Sequence, residues 1–394
     1  MNTPGTTLIL LVGSNPLPNY LSAWALRPSR LALIYTPETK DASDRLKAQL
    51  RAVPDLDGVS IVEQCVRDAA SATEVRRKVA NLMQSSEPKS EIWLNYTGGT
   101  KVMAAHARIA YGESGGLPKN ASYLDEGGSN RQACLRFDDG TSNLLSQYSR
   151  VSLDLCTILA LHGISHKPRE AKESSPTAQD ARHILHKVVS QVCLAKDLYK
   201  EKERLEKMKV KEAVNDPFEP DKFELQLSLL KLPPSDVMDE KAYKHWYKFI
   251  GGEWLEEWLG EQIRTLDLKP TAEITVGFDA FRGSKRAQLQ VDIAVVHSHR
   301  SYFISCTTDK AKDRCKSKLF EIVVRSRQLG GDLSRAALVC LADDSVVSAL
   351  KSDIDDVWGA SNTTRVFGLS DVFAWSDRDG KQPNLHSLKT WLES

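Results

Sequence analysis

The sequence predicts an α/β protein: a Rossmann-like N-terminal unit, a helical connection and a second α/β unit. Three observations carry the prediction. Apolar runs at residues 7–12, 31–35 and 92–94 each give way to a short loop of small polar residues. The run 94–104 (LNYTGGTKVMA) passes from a strand-like segment through Gly98-Gly99 into helix-forming composition. Beyond residue 240 the order becomes helix, three strands, helix, strand. Strands buried on both faces of a parallel sheet read as continuous apolar runs, and residues 7–12 (TLILLV) have that character.

In chain order, residues 13–20 (GSNPLPNY) form a polar loop and 21–26 open a helix. The second strand, 31–35, ends in Thr36-Pro37-Glu38-Thr39. A strand at 60–63 and a helix near 71–83 lead to the strand 92–94, and a helix over 102–110 follows the Gly-Gly turn. Residues 122–124 and 133–136 flank Asp125-Glu126-Gly127-Gly128-Ser129 as a hairpin, and Asp139-Gly140 turns the chain before 143–145. Residues 151–162 (VSLDLCTILALH) read as an apolar helix leaving the first unit. The polar stretch 166–178, with Pro168 and Pro176, reads as a linker. Ile184, Leu185, Val188, Val189, Val192 and Ala195 then recur at helical spacing, predicting one helix from 178 to 211. Its charge-dense second half (KEKERLEKMKVK) reads as a solvated face. Leu232-Pro233-Pro234-Ser235 marks the next boundary. A helix over 247–263, strands at 273–278, 289–297 and 301–306, a helix over 312–328 ended by Gly330-Gly331, and a buried strand at 336–341 complete the reading. The expected units are 1–150, 151–240 and 241–394.

A chain of 394 residues exceeds one ordinary core. With 53 basic against 52 acidic residues no global field marks a nucleic-acid binder, so any basic groove is local. Seven scattered cysteines without CxxC pairs fit a reduced, cytoplasmic protein better than disulfides or a zinc site. The first apolar run is too short for a signal peptide, and no run approaches membrane-spanning length, so no membrane partner is expected.

A strand that turns through Gly-Gly into a helix aims free backbone N–H groups at whatever lies above the turn, which suits an anion. Thr97, Thr100 and Lys101 add hydroxyls and a positive charge suited to a phosphodiester. A plain strand–helix turn with Thr100 as N-cap accounts for the same residues. The Walker pattern does not fit, because the lysine follows Thr100. The loops at 13–20, 36–39 and 97–101 would converge on one rim, outside the carboxyl ends of the strands. The segments VGSNPLPNY, TPET and NYTGGTKVMA together resemble the CARF family, the sensors of cyclic oligoadenylates in type III CRISPR defence. That resemblance, over residues 1–150, implies a homodimer holding one ring, usually cyclic tetra-adenylate. It assigns ligand contacts to Ser14, Asn15, Pro16, Tyr20, Thr36, Thr39, Asn95, Thr97, Gly98, Gly99, Thr100 and Lys101.

The C-terminal order resembles the PD-(D/E)XK nuclease fold, in which a strand aspartate and a following E-x-K hold a divalent metal. Asp292 sits at the first position, and Glu256 lies in a GGxWLEE-like helix segment. The E-x-K position reads Ser305-Cys306-Thr307, with neither carboxylate nor lysine. In some restriction enzymes of this fold a helix glutamate takes over. Here Glu321 would serve, pairing with Asp292 on Mn or Mg, with Lys318, Lys310 or Lys312 supplying the positive charge. Three readings stay open: a messenger-activated nuclease acting on DNA or RNA, with metal needed only in that case; a scaffold with a degenerate nuclease domain; and a ring nuclease using Ser14, Thr100 and Lys101. His297 and His299 flank a turn without a further metal signal, and His106 reads as packed or exposed.

Overall fold

The structure is a computed structural model that describes residues 3–85, 90–125, 133–148, 151–169, 176–208, 218–227, 240–283, 289–358, 363–377 and 382–393. The N-terminal sheet contains β1 (Thr3–Leu11), β2 (Pro28–Tyr35), β3 (Ser60–Cys65), β4 (Glu91–Asn95), β5 (Ala121–Asp125), β6 (Cys134–Phe137) and β7 (Ser142–Leu144). Their order is β3-β2-β1-β4-β5-β6-β7. Strands β3 to β5 run parallel, and β6 and β7 turn back antiparallel. The apolar run in β1 splits by parity. Leu8, Leu10 and Val12 join the core under helices α1 (Leu17–Leu26), α2 (Lys40–Arg51) and α5 (Leu155–Leu161). Ile9 and Leu11 join the core under α3 (Ala72–Gln84) and α4 (Lys101–Glu113) on the opposite face. Both faces are covered, so the run has no polar alternation.

The second sheet has the order β13-β12-β11-β10-β9-β8. Its strands are β8 (Ser165–Pro168), β9 (Glu273–Phe281), β10 (Leu289–His297), β11 (Arg300–Thr307), β12 (Arg335–Cys340) and β13 (Thr364–Phe367). Strands β8 to β11 are antiparallel, and β11 to β13 are parallel. One face packs on α6 (Ala178–Ser190), α7 (Cys193–Lys207), α8 (Glu240–Lys248) and α9 (Trp254–Arg264), around Trp254 and Trp258. The other face packs on α10 (Lys312–Gly330) and α11 (Asp344–Trp358) and shares a continuous core with α5. Helices α12 (Leu369–Trp375) and α13 (His386–Leu392) close the chain.

Several expectations are corrected. Helix α1 starts at Leu17, four residues inside the expected loop, because Pro18 lies in its first turn, where a missing N–H costs nothing. Helix α2 had no counterpart in the sequence reading. The apolar segment 151–162 is helical only from Leu155, where the Asp154 side chain accepts from Thr157 N at 2.6 Å as an N-cap. The expected linker begins with strand β8, which pairs with β9 from Ser165 to Pro168 and lies within the segment assigned to the helical connection. The single helix expected from 178 is two helices broken at Gln191–Val192, so that α6 packs on α9 and α7 on the turn at Phe249–Glu253. The hairpin tip beyond Asp125 and the boundary at 232–235 lie outside the described residues.

Candidate functional site

The N-terminal sheet reverses its winding between β1 and β4, and in parallel sheets ligands bind at such a switch point. Here the two loops touch backbone to backbone. A Cβ on Gly13 would lie 3.0 Å from Gly99 N, and one on Gly98 would overlap the Leu11 carbonyl oxygen. Gly99 has φ +75°, a conformation that costs glycine little. Asn19, missed in the sequence reading, ties the crossing together from below. It is fully buried in α1 and donates from Nδ2 to Leu11 O at 3.0 Å.

The structure sorts the sequence-predicted ligand residues into walls and supports. Ser14, Thr100 and Lys101 are exposed, and Gly13, Thr97, Gly98 and Gly99 are half-buried beside them. Thr100 caps α4, its hydroxyl accepting from Met103 N at 3.2 Å. Thr97 is spent on the fold as well: its hydroxyl donates to Asn95 Oδ1 (2.8 Å) and accepts from Leu124 N (2.6 Å). Asn95 is buried and donates to Ser122 Oγ at 3.2 Å. Thr36 is buried, and its N–H donates to Thr39 Oγ1 at 2.9 Å, closing the turn after β2. Pro16 and Tyr20 are buried, with the Tyr20 ring edge-on to Trp24 in the core; burial pushes the Tyr20 phenol pKa up. Lys101 and the N–H groups at the start of α4 are what the crevice offers an anion.

Asn15 faces the C-terminal unit. Its Oδ1 accepts from Leu17 N (3.1 Å) and lies 3.2 Å from His162 Nε2, while its amide fills the space a Cβ on Gly331 would need. His162 is buried at the end of α5, with Nδ1 2.8 Å from Ile158 O, and burial lowers its pKa.

The second cluster lies where β10, β11 and α9 meet. Asp292 Oδ2 accepts from Ser305 Oγ (3.0 Å) and from Cys306 N (2.7 Å). Burial raises its pKa, with Lys318 among the groups opposing that rise. Glu256 is buried, and burial together with the Asp292 charge raises its pKa well above the ordinary carboxylate value. Glu253, three residues earlier, is raised by burial as well. Arg169, just past β8, forms ion pairs with Glu256 (3.1 Å) and Glu253 (3.3 Å). Both Glu253 and Arg169 were missed. The first sits inside the quoted helix segment, and the second stands in a stretch that reads as linker.

Glu321 uses its carboxylate elsewhere, on Arg325 and, at 3.6 Å, on Lys318. With Lys318 and Lys310 it lines a cleft of about 1010 Å³ bordered by Lys196, Tyr199 and Thr307. Lys312 pairs with Asp353 at 3.8 Å. A divalent metal needs several carboxylate or carbonyl oxygens free to turn toward it. Glu253 and Glu256 turn toward a guanidinium instead, and Asp292 is held by Ser305 and the Cys306 amide. Among the described residues no three His, Cys, Asp or Glu side chains are grouped to hold a metal ion. The expected Mn or Mg centre does not fit this arrangement. The seven cysteines are free thiols, and among the described residues no helix is long and apolar enough to cross a membrane.

No protein-family model matches the chain, and no curated protein matches it in sequence. Solved structures match in fold. Protein VC1899 from Vibrio cholerae superposes with a TM-score of 0.67 at 13% identity, over 99% of each chain. Can2 from Sulfobacillus thermosulfidooxidans, solved with cyclic tetra-adenylate, gives 0.65 at 17% identity, over 98% of this chain and 97% of its own. A type III CRISPR defence DNA nuclease activated by cyclic oligoadenylate gives 0.55 at 17% identity; it is matched over 52% of its length by the whole of this chain. With a switch-point crevice in one sheet and a carboxylate cluster on the other, this protein shares the two-unit α/β fold of VC1899 and Can2.

Proposed function

We propose that this protein is a cyclic-oligoadenylate-binding effector of type III CRISPR antiviral defence, with cyclic tetra-adenylate as its ligand. The observation that carries the reading is the crevice between β1 and β4. It is walled by main chain at Gly13 and Gly98-Gly99, headed by the N-terminus of α4, and flanked by exposed Lys101. Such a surface grips phosphodiester oxygens through N–H groups and one charge, without needing a sequence of bases. The fold shared with Can2 in its cyclic tetra-adenylate complex supports the ligand class.

A homodimer follows from the shape of the ligand. A symmetric ring is gripped most economically by two copies of one crevice across a two-fold axis. Helix α4, which starts at the crevice, carries Val102 and Ile109 exposed on its outer side, an apolar face suited to a second copy. Ser14, Thr100 and Lys101 are exposed at the crevice, and chromatography of the bound ring after incubation tests whether they cleave it.

The C-terminal unit is the responding part. Its carboxylates are engaged by Arg169, Ser305 and the Cys306 amide, which favours a partner-binding or scaffolding response over metal-dependent cleavage of DNA or RNA. The test is calorimetry with cyclic and linear tetra-adenylate, followed by incubation of the complex with Mn²⁺ and labelled DNA and RNA. One ring per two chains, preferred over the linear form, is the expected result. No heat with any cyclic oligoadenylate would overturn the sensor reading. Mn²⁺-dependent cleavage lost in Asp292→Ala would overturn the scaffold reading.

A further inference from the structure

Arg169 is built into its position by three separate contacts. Its backbone N–H donates to Gly277 O at 2.8 Å, extending the β8–β9 pairing one residue past Pro168. Its guanidinium lies against Gly277, where an added Cβ would stand 2.7 Å from Cζ and 2.8 Å from Nε. Gly277 has φ +63°, so this strand position disfavours a side chain in conformation as well as in space. From that seat Nη2 reaches Glu256 Oε2 at 3.1 Å and Nη1 reaches Glu253 Oε2 at 3.3 Å.

Asp292, hydrogen-bonded to Ser305 and the Cys306 amide, interacts with the group at longer range. It acts electrostatically on both glutamates, and Arg169 acts on it in turn. Two glutamates are therefore paired to one cation, with Lys248 also acting on Glu253 and Lys318 on Asp292. Carboxylates turned to a shared cation are a feature of divalent-metal centres, and here the cation is a covalently attached monocation. A guanidinium suits the place: it is planar, weakly hydrated and able to serve two carboxylates at once.

From this geometry we infer that Arg169 is the resident cation of the C-terminal centre, paired to Glu253 and Glu256, and that its charge keeps a divalent metal out. The inference concerns the C-terminal centre alone and holds whatever the N-terminal crevice binds.

The experiment uses the full chain and Mn²⁺ alone as probe, with direct Mn²⁺ binding by electron paramagnetic resonance and the thermal midpoint as readouts. The parent should take up no Mn²⁺ that depends on Asp292, and its midpoint should not move with the metal. Arg169→Ala should melt earlier without metal, recover with Mn²⁺, and bind Mn²⁺ at least tenfold more tightly than the parent. Adding Asp292→Asn should remove that gain, and Arg169→Lys should exclude the metal as the parent does. Arg169→Gln, close in size and uncharged, serves if the alanine variant does not fold. Saturable Mn²⁺ binding by the parent that Asp292→Asn abolishes would overturn the inference without any Arg169 variant. So would a folded Arg169→Ala or Arg169→Gln protein that takes up Mn²⁺ no better than the parent.

Discussion

At the N-terminal crevice the walls are main chain, and their shape depends on side chains left out: Gly13 and Gly98 allow β1 and the β4 turn to touch. At the C-terminal centre the walls are charged side chains from three separated segments, Arg169, Glu253–Glu256 and Asp292. The shape of the first site is damaged by adding atoms, and that of the second by removing charges. Steric contact between backbones has little give, so the packing of the two loops fixes the shape of these walls. A cluster of half-buried charges keeps its shape only while each charge has its partner.

The largest expected effect tests the backbone contact. Gly98→Val places a Cβ on the Leu11 carbonyl oxygen and should cost about 3 kcal/mol, toward the upper end of overpacking penalties. Urea unfolding reads it, and a parental midpoint would mean that the two loops do not touch. Next comes Lys101→Ala. The side chain is exposed, so stability should stay unchanged, while affinity for cyclic tetra-adenylate should fall by about 1.5–3 kcal/mol, roughly ten- to a hundredfold. Unchanged affinity by calorimetry would remove the lysine from the site.

The charge-built centre predicts a pH signature that the crevice lacks. Burial holds the carboxyls of Glu253, Glu256 and Asp292 above their ordinary pKa. The folded chain therefore binds these protons more readily than the unfolded chain. Their contribution to stability must grow as pH falls from above the raised values toward the ordinary carboxylate range. Glu256→Gln should flatten that slope in urea unfolding at a series of pH values, and an unaltered slope would place Glu256 outside the coupled group. His299 works in the opposite sense. Burial lowers its pKa to about 3, so its contribution is lost as pH falls below the ordinary histidine value of about 6.5. The smallest effect separates cap from contact at the crevice: Thr100→Ala should cost about 1 kcal/mol of stability and leave affinity intact, with Thr100→Ser retaining both. Lost affinity in a stable Thr100→Ala protein would make that hydroxyl part of the wall.

The crevice was more legible in the sequence than the centre, and the reason is locality. Gly98-Gly99-Thr100 sits in one continuous strand–turn–helix segment, so spacing and residue type suffice to read it. What stayed hidden there was orientation: Tyr20 and Asn95 lie in the same motifs as Ser14 and Lys101 but point into the core. Asp292 and Glu256 were visible because each sits in a recognisable element, a strand and an amphipathic helix. Arg169 was invisible because its partners are more than eighty residues away and its own neighbourhood is polar and proline-marked. Its strand is four residues long and depends on pairing with β9, which local propensity cannot report. The break between α6 and α7 lacks a glycine or proline and follows from packing instead.

Strand β8 has a consequence for which changes of chain length this protein can tolerate. Asn15 of the crevice loop meets His162 at 3.2 Å, and Arg169 stands seven residues further on, with only Gly163 and Ile164 between His162 and the start of β8. The side chains of Ser165 and Pro168 are exposed, so their identities should be exchangeable. The number of residues should not be. A strand displaced by one position presents its opposite face, which would turn Arg169 away from Glu253 and Glu256 and bring a neighbour into its seat. The exposed positions Ser165 and Pro168 should therefore accept substitution while the stretch resists insertion or deletion, the reverse of an ordinary surface connection, and substitutions at those two positions paired with single-residue deletions over 163–168 distinguish the two behaviours.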